Sequence, residues 1–251
     1  MLAIDNSTVS KYKINFFIWL YFTDVLIHLI TCFYHINKIQ HFTKIFLMPL
    51  LLIVYFQITN DETRSNFVVY GLIGGAFGDV FLIFPHIYIC FFLGLSFFLI
   101  GHILYIGDIT CKIELKIWKE KMWTALGLLI FFGCFCSYMF KYYIREGLAQ
   151  NNAEIPGIIY LSALGLLNSA SIFYFINKRS KYSLLTVLGT IIFFLSDFIL
   201  ERQLFYKDKN YFAQYYDLIV MFTYIVAQTL IAIGLSNSNK KENILRQLLD
   251  V

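Results

Sequence analysis

The sequence predicts an all-α protein, a polytopic transmembrane bundle of eight helices, and three observations carry that prediction. Its 251 residues are 59% hydrophobic and only 14% charged, whereas soluble domains are nearer half apolar and a quarter charged. Apolar runs close to the ~20 residues needed to cross a bilayer recur along the chain. Lysine and arginine gather between those runs rather than inside them.

The first span, 14–34, follows Lys11 and Lys13. Its apolar run is too long for a signal peptide and no small-residue cleavage site follows, so it reads as an uncleaved helix. The second, 45–59, is short and carries Pro49, which predicts a tilt or kink. The third, 67–84, contains "GLIGGAFGDVFLIF", an apolar stretch interrupted by Asp79. The fourth, fifth and sixth fall at 88–106, 122–143 and 155–176. A second acid, Asp197, interrupts the seventh span, 183–200, within "GTIIFFLSDFILER". The eighth covers 214–235, and the tail 236–251 reads as a short amphipathic segment at the membrane surface. Residues 1–251 form one integral membrane domain in this reading, with no soluble domain.

Charge sets the expected orientation. Of the 20 lysines and arginines, 13 fall on the side holding both termini and 7 on the other. The positive-inside rule then puts both termini in the cytoplasm, as for a multi-pass protein of a bacterial inner membrane. A net charge of +4, dispersed over short loops, suits anionic lipid headgroups and offers no basic, aromatic-laced patch for nucleic acid. The five cysteines support neither a disulfide framework nor a zinc site. No GxSxG elbow, HExxH motif or Walker loop occurs, and the glycines before Asp79 lie inside a membrane span rather than between a strand and a helix. No cofactor or metal is expected.

A shift of 118 residues places Gly71 on Gly189, Asp79 on Asp197 and Leu82 on Leu200. The seventh span comes four places after the third, so the two run in the same direction. That spacing fits a four-plus-four parallel repeat and brings the two aspartates to nearly the same depth. An ionisable group within a bilayer costs at least ~2.5–3.5 kcal/mol, so it normally faces a cavity and has a role. The bland reading of each acid is an interhelical hydrogen bond. Small neighbours, Gly78 and Ser196, let helices approach or leave room for a ligand.

Further candidates share helical faces with one another. His102 and Tyr105 are three residues apart on the fourth span, and Tyr224 and Gln228 are four apart on the eighth. Asp24 and His28 share a face of the first span and are expected to pair. Lys44 opens the second span on the non-cytoplasmic side, either snorkelling to the interface or holding a phosphate. For the histidine, tyrosines and glutamine, plain interhelical hydrogen bonding competes with a place in the cavity.

Together, "FTKIFLMPLLLIVYF", "GGAFGDVFLIF", "FFLGLSFFLIGHILYI", "GTIIFFLSDFIL" and "FTYIVAQTLIAIG" resemble the lysoplasmalogenase family, the YhhN-like eight-helix membrane proteins. They occur in the family's order over spans two, three, four, seven and eight. The GD and SD segments and the following GH..Y are the most specific part. Spans one, five and six match only in character, and Ile45 stands where the family commonly has proline after the lysine.

The resemblance implies a hydrolase acting on the vinyl-ether bond of lysoplasmalogens, releasing a fatty aldehyde and glycerophosphoethanolamine or glycerophosphocholine. The substrate and the membrane lipids are then the expected partners. A vinyl ether is cleaved by protonating its outer alkene carbon, after which water adds to the oxocarbenium ion. Two close carboxyls in a dry cavity favour sharing one proton, and glycosidases run comparable chemistry between two carboxyls. Asp79 and Asp197 would be that acid/base pair, with their individual roles open. Lys44, His102, Tyr105, Ser196, Tyr224 and Gln228 would bind or orient the substrate. The competing class is a proton-coupled transporter using the same aspartates as a relay.

Overall fold

The computed structural model describes residues 6–149, 153–205 and 215–236. Among them it contains only helices and short connections: α1 (Asn6–Phe33), α2 (Asn37–Ile58), α3 (Asn66–Phe81), α4 (Tyr88–Cys111), α5 (Leu115–Glu120), α6 (Met122–Met139), a π-helical turn (Phe140–Ile144), α7 (Arg145–Ala149), α8 (Glu154–Lys178), α9 (Lys181–Phe205) and α10 (Tyr216–Ser236). Seven of the described helical stretches are long and apolar enough to cross a membrane, α6 counting as one with the π-turn and α7. The remaining predicted span, the third, corresponds to α3, apolar but only 16 residues long. The chain is an integral, multi-pass membrane protein.

Neighbouring helices pass contacts around a closed ring, α1–α2–α3–α4–α8–α9–α10 and back to α1, and α6 stands outside against α8. The tightest pairings are α3 with α4 and α9 with α10. Glycine permits both crossings. A Cβ on Gly71 would lie 2.5 Å from the Tyr105 ring of α4, and one on Gly189 would lie 3.0 Å from the Ala227 carbonyl oxygen of α10. These are the two glycines that the 118-residue shift aligns.

At the end of the bundle where α3 begins, a polar clamp joins α4 to α10 and to the residue that precedes α3. Asp108 of α4 accepts hydrogen bonds from Ser65 Oγ and, at 2.6 Å, from Lys112 Nζ. The same ammonium donates to the Leu235 carbonyl of α10 at 2.8 Å, which suits the negative end of a helix dipole. At this end α8 stops at Arg179, whose left-handed φ of 44° turns the chain into α9.

Several boundaries differ from the sequence reading: α1 begins at Asn6 rather than 14, α4 ends at Cys111 rather than 106 and α9 at Phe205 rather than 200. Two further differences, at the opposite end, shape the cavity described below. Helix α2 begins at Asn37 rather than 45 and carries Pro49 within 22 continuous residues, so Lys44 stands about two turns inside it. Helix α3 stops at Phe81 rather than 84. Pro85 disfavours helical backbone at the residue before it, and successive turns take over, Ile83 N–H donating to Val80 O and Phe84 N–H to Phe81 O. Asp79 therefore occupies the last turn of α3. At ~1.5 Å per residue, 16 residues fall short of a ~30 Å hydrocarbon core. Non-helical backbone at such depth is tolerated where it lines a cavity, as Leu82, Ile83 and Pro85 do here. The predicted amphipathic tail and most of the loop before α10 lie outside the described residues.

Asp24 and His28 do not pair. His28 Nδ1 lies 2.7 Å from Thr43 Oγ1 of α2, and Asp24 Oδ2 is buried with no hydrogen-bond partner among the described residues. Their shared helical face is real, but α2 captures the histidine.

Candidate functional site

A cavity of about 280 Å³ opens between α2, α3, α9 and α10 at the end away from the Asp108 clamp. Asp79 and Asp197 both line it, as do Lys44, Ser196 and Tyr224. Helix pairing explains the convergence. Both α3 and α9 pack against α10, and α2 closes the side next to α3.

Asp79 is buried, with 3% of its side chain exposed. Tyr224 O–H donates to its Oδ2 at 2.9 Å, and Lys44 Nζ stands 3.9 Å from its Oδ1. A carboxylate at the negative end of a helix dipole needs such compensation. Gly75 leaves the room: a Cβ there would sit 3.4 Å from the Tyr224 hydroxyl and 3.3 Å from Gln228 Nε2.

Asp197 is more open, with 13% of its side chain exposed. Tyr160 of α8 donates to its Oδ2 at 2.6 Å. His102 Nε2 lies 3.0 Å from the Tyr160 hydroxyl and 3.7 Å from Asp197 itself. Because the Tyr160 hydrogen is committed to the carboxylate, His102 Nε2 is the donor to Tyr160. The result is a relay, His102 to Tyr160 to Asp197, that ends at the cavity. Phe193 packs edge-on against the His102 ring, centroids 4.7 Å apart, and holds it there.

Other expected residues divide. Ser196 lines the cavity, but its hydroxyl donates to the Val220 carbonyl at 3.0 Å. Tyr105 and Gln228 are drawn to each other, Tyr105 O–H donating to Gln228 Oε1 at 2.8 Å, and they stand behind the cavity wall rather than in it. His102 and Tyr105, expected on one face, thus turn to different neighbours: α8 and α9 for the histidine, α10 for the tyrosine.

Next to the polar cavity runs an apolar groove lined by residues of α4, α7, α8 and α9, including Phe91, Leu95, Leu161 and Phe194. Phe98, Leu82, Leu200, Leu204 and Asp197 belong to both spaces. Asp197 therefore stands at the junction of a polar chamber containing a lysine and a channel walled by hydrocarbon and aromatic side chains. Phe98 keeps its position because Gly78 has no Cβ, which would otherwise approach its ring to 2.7 Å.

Several polar residues at these spaces escaped the sequence reading, among them Asn37, Gln40 and His41 at the start of α2, and Tyr160, Glu201, Gln203 and Asp217. Glu201 follows Asp197 by one helical turn and lines the groove; the i, i+4 spacing within "SDFILER" was a usable signal. Gln203 and Asp217 are joined at 2.5 Å across the α9–α10 connection. Tyr160 is one of two tyrosines in an apolar span and gave no signal of its own.

The sequence profile of the YhhN family matches residues 39–235. The chain belongs to the YhhN family. The YhhN match runs from the first turn of α2 through nearly all of α10, and it includes both aspartates, Lys44 and the His102–Tyr160 relay. No curated protein and no solved structure matches the chain.

Proposed function

We propose that the chain is a lysoplasmalogenase-type hydrolase that cleaves the vinyl-ether bond of a lysophospholipid between Asp79 and Asp197. The observation that carries this reading is the position of Asp197 where the polar cavity meets the apolar groove. A lysoplasmalogen has the same division: a phosphate headgroup, a short glycerol, a vinyl ether, then a hydrocarbon chain. Laid along the two spaces, its phosphate lies toward Lys44, its chain enters the groove, and its alkene falls beside Asp197. With the orientation expected from charge, the mouth faces the non-cytoplasmic leaflet. An apolar branch fits a lipid better than the hydrophilic solute of a proton-coupled transporter.

The outer alkene carbon is the one nearer the groove, so Asp197 in its acid form delivers the proton there. The C–H bond forms as the alkene electrons move onto it, leaving an oxocarbenium ion stabilised by the anionic Asp79. Water adds to that cation and gives its proton to Asp79. The hemiacetal then collapses, the aldehyde C=O forming as the bond to the glycerol oxygen breaks, and that oxygen takes up the hemiacetal proton. One water is consumed. A proton returns from Asp79 to Asp197 through the shared cavity before the next turnover.

Aldehyde release from alkenyl-lysophosphatidylethanolamine by the purified protein tests this. Release by the wild type, with Asp79→Asn and Asp197→Asn each lower by about 10²–10⁴-fold, is the outcome expected of paired acid–base groups. Full turnover by either variant would sink the assignment. A folded wild type that releases no aldehyde would sink the substrate.

A further inference from the structure

Lys44 and the two aspartates are not the only charges at the polar cavity. Asp217, in the first turn of α10, lines it as well. Its Oδ1 accepts a hydrogen bond from Gln203 Nε2, and among the described residues its Oδ2 has no partner. No ion pair joins Lys44 to Asp217, although both face the same space. Two opposite charges held apart across a chamber of about 280 Å³ match a ligand that itself carries opposite charges at two points. The other polar lining of the mouth is largely amide, Asn37 and Gln40 on α2 and Gln203 on α9, with His41 beside them.

We propose that Asp217, oriented by Gln203, binds the terminal ammonium of the substrate headgroup while Lys44 faces its phosphate, and that this selects a primary ammonium over a trimethylammonium. The inference rests on the lysophospholipid reading above and adds its headgroup. The selectivity follows from donor chemistry. A primary ammonium carries three N–H donors, which a carboxylate and neighbouring amide carbonyls accept. A trimethylammonium has none and is recognised instead by the faces of clustered aromatic rings. Among the described residues the cavity lining has two benzene-type rings, Phe98 and Tyr224. The tyrosine hydroxyl is engaged with Asp79, and neither ring belongs to the amide-lined mouth. Two structural roles, favouring the positive N-terminal end of α10 and tying α9 to α10 through Gln203, explain an acid at 217. They do not require that it line the chamber together with Lys44.

The test uses saturated 1-alkyl lysophospholipids, which contain no vinyl ether and cannot be cleaved, so binding is read whether or not the chain is a hydrolase. Affinities of the full-length protein in detergent are compared for phosphoethanolamine, phosphocholine and phosphate-monoester headgroups on one chain length. The wild type is expected to prefer phosphoethanolamine by roughly 10-fold or more, the scale of one charge-assisted hydrogen bond. Asp217→Asn brings the three affinities together, Asp217→Glu restores the order, and Asp217→Lys shifts preference to the phosphate monoester. That last shift is a gain, which a misfolded protein would not produce. Equal affinities in the wild type, or a preference that survives Asp217→Asn, would overturn the inference. If binding discriminates but no aldehyde is released from the alkenyl lipid, the headgroup site stands and the hydrolase reading falls.

Discussion

Asp79 and Asp197 line one cavity and align under one shift of the sequence, yet their surroundings are built differently. Each takes one partner from the preceding long helix of its own half and one from the last helix of the other half. For Asp79 these are Lys44 on α2 and Tyr224 on α10. For Asp197 they are Tyr160 on α8 and His102 on α4. The crossed pattern means that neither half completes either environment alone. Asp79 has a fixed cation and little exposure. Asp197 has an imidazole–phenol donor chain, more exposure and an apolar groove at its side. Two acids aligned in the sequence thus stand in different environments because the residues around them diverge.

That comparison can be broken from the Lys44 side first, where the largest effect is expected. Lys44→Met leaves a buried carboxylate without its cation. Breaking a fully buried pair costs ~3–5 kcal/mol; with Lys44 16% exposed and 3.9 Å away, the loss should be about 1–3 kcal/mol. Thermal unfolding in detergent measures it. Most of the loss should vanish when Asp79→Asn is also present, and a loss that persists there would mean that Lys44 acts elsewhere.

On the other side, Tyr160→Phe deletes the 2.6 Å hydrogen bond to Asp197 and strands the His102 donor. A cost of ~0.5–1.5 kcal/mol corresponds to aldehyde release slower by up to about 10-fold. The variant should be destabilised less than Lys44→Met. A Tyr160→Phe protein with unaltered turnover would reduce the relay to packing. The smallest effect is expected for Ser196→Ala, since that hydroxyl already serves the Val220 carbonyl. Turnover should change by no more than about two-fold and stability by ~0.5–1 kcal/mol. A larger kinetic loss would show that Ser196 leaves Val220 to meet the substrate.

Much of this was legible because membranes impose length and polarity on a chain directly. The eight apolar segments, the two acids and Lys44 each stand out against a hydrocarbon background. What stayed hidden was which helix faces which. Tyr160 looks like many other span tyrosines until α8 is seen beside α9. The pairing of Tyr105 with Gln228 depends on α4 meeting α10 behind the cavity. The expected Asp24–His28 pair failed for the same reason, as a threonine on α2 competes for the histidine. Helix ends were misplaced where their signals act weakly: Pro85 stops α3 from several residues away, and the polar first turns of α2 diluted its apolar pattern.

The π-helical turn at Phe140–Ile144 separates two kinds of surface. Before it, α6 carries outward-facing side chains such as Ile130 and Phe131; at its end and just beyond, Ile144 and Leu148 form part of the groove wall. A π-turn holds about one residue more than an α-helical turn over the same rise. A chain one residue shorter through 140–144 would close into ordinary helix and keep both surfaces facing as they do. One residue removed farther up α6 would rotate the preceding stretch by about 100° against the rest of the span, turning its outward-facing side chains toward α8. Within this span, the turn is where length can drift without altering what each face meets.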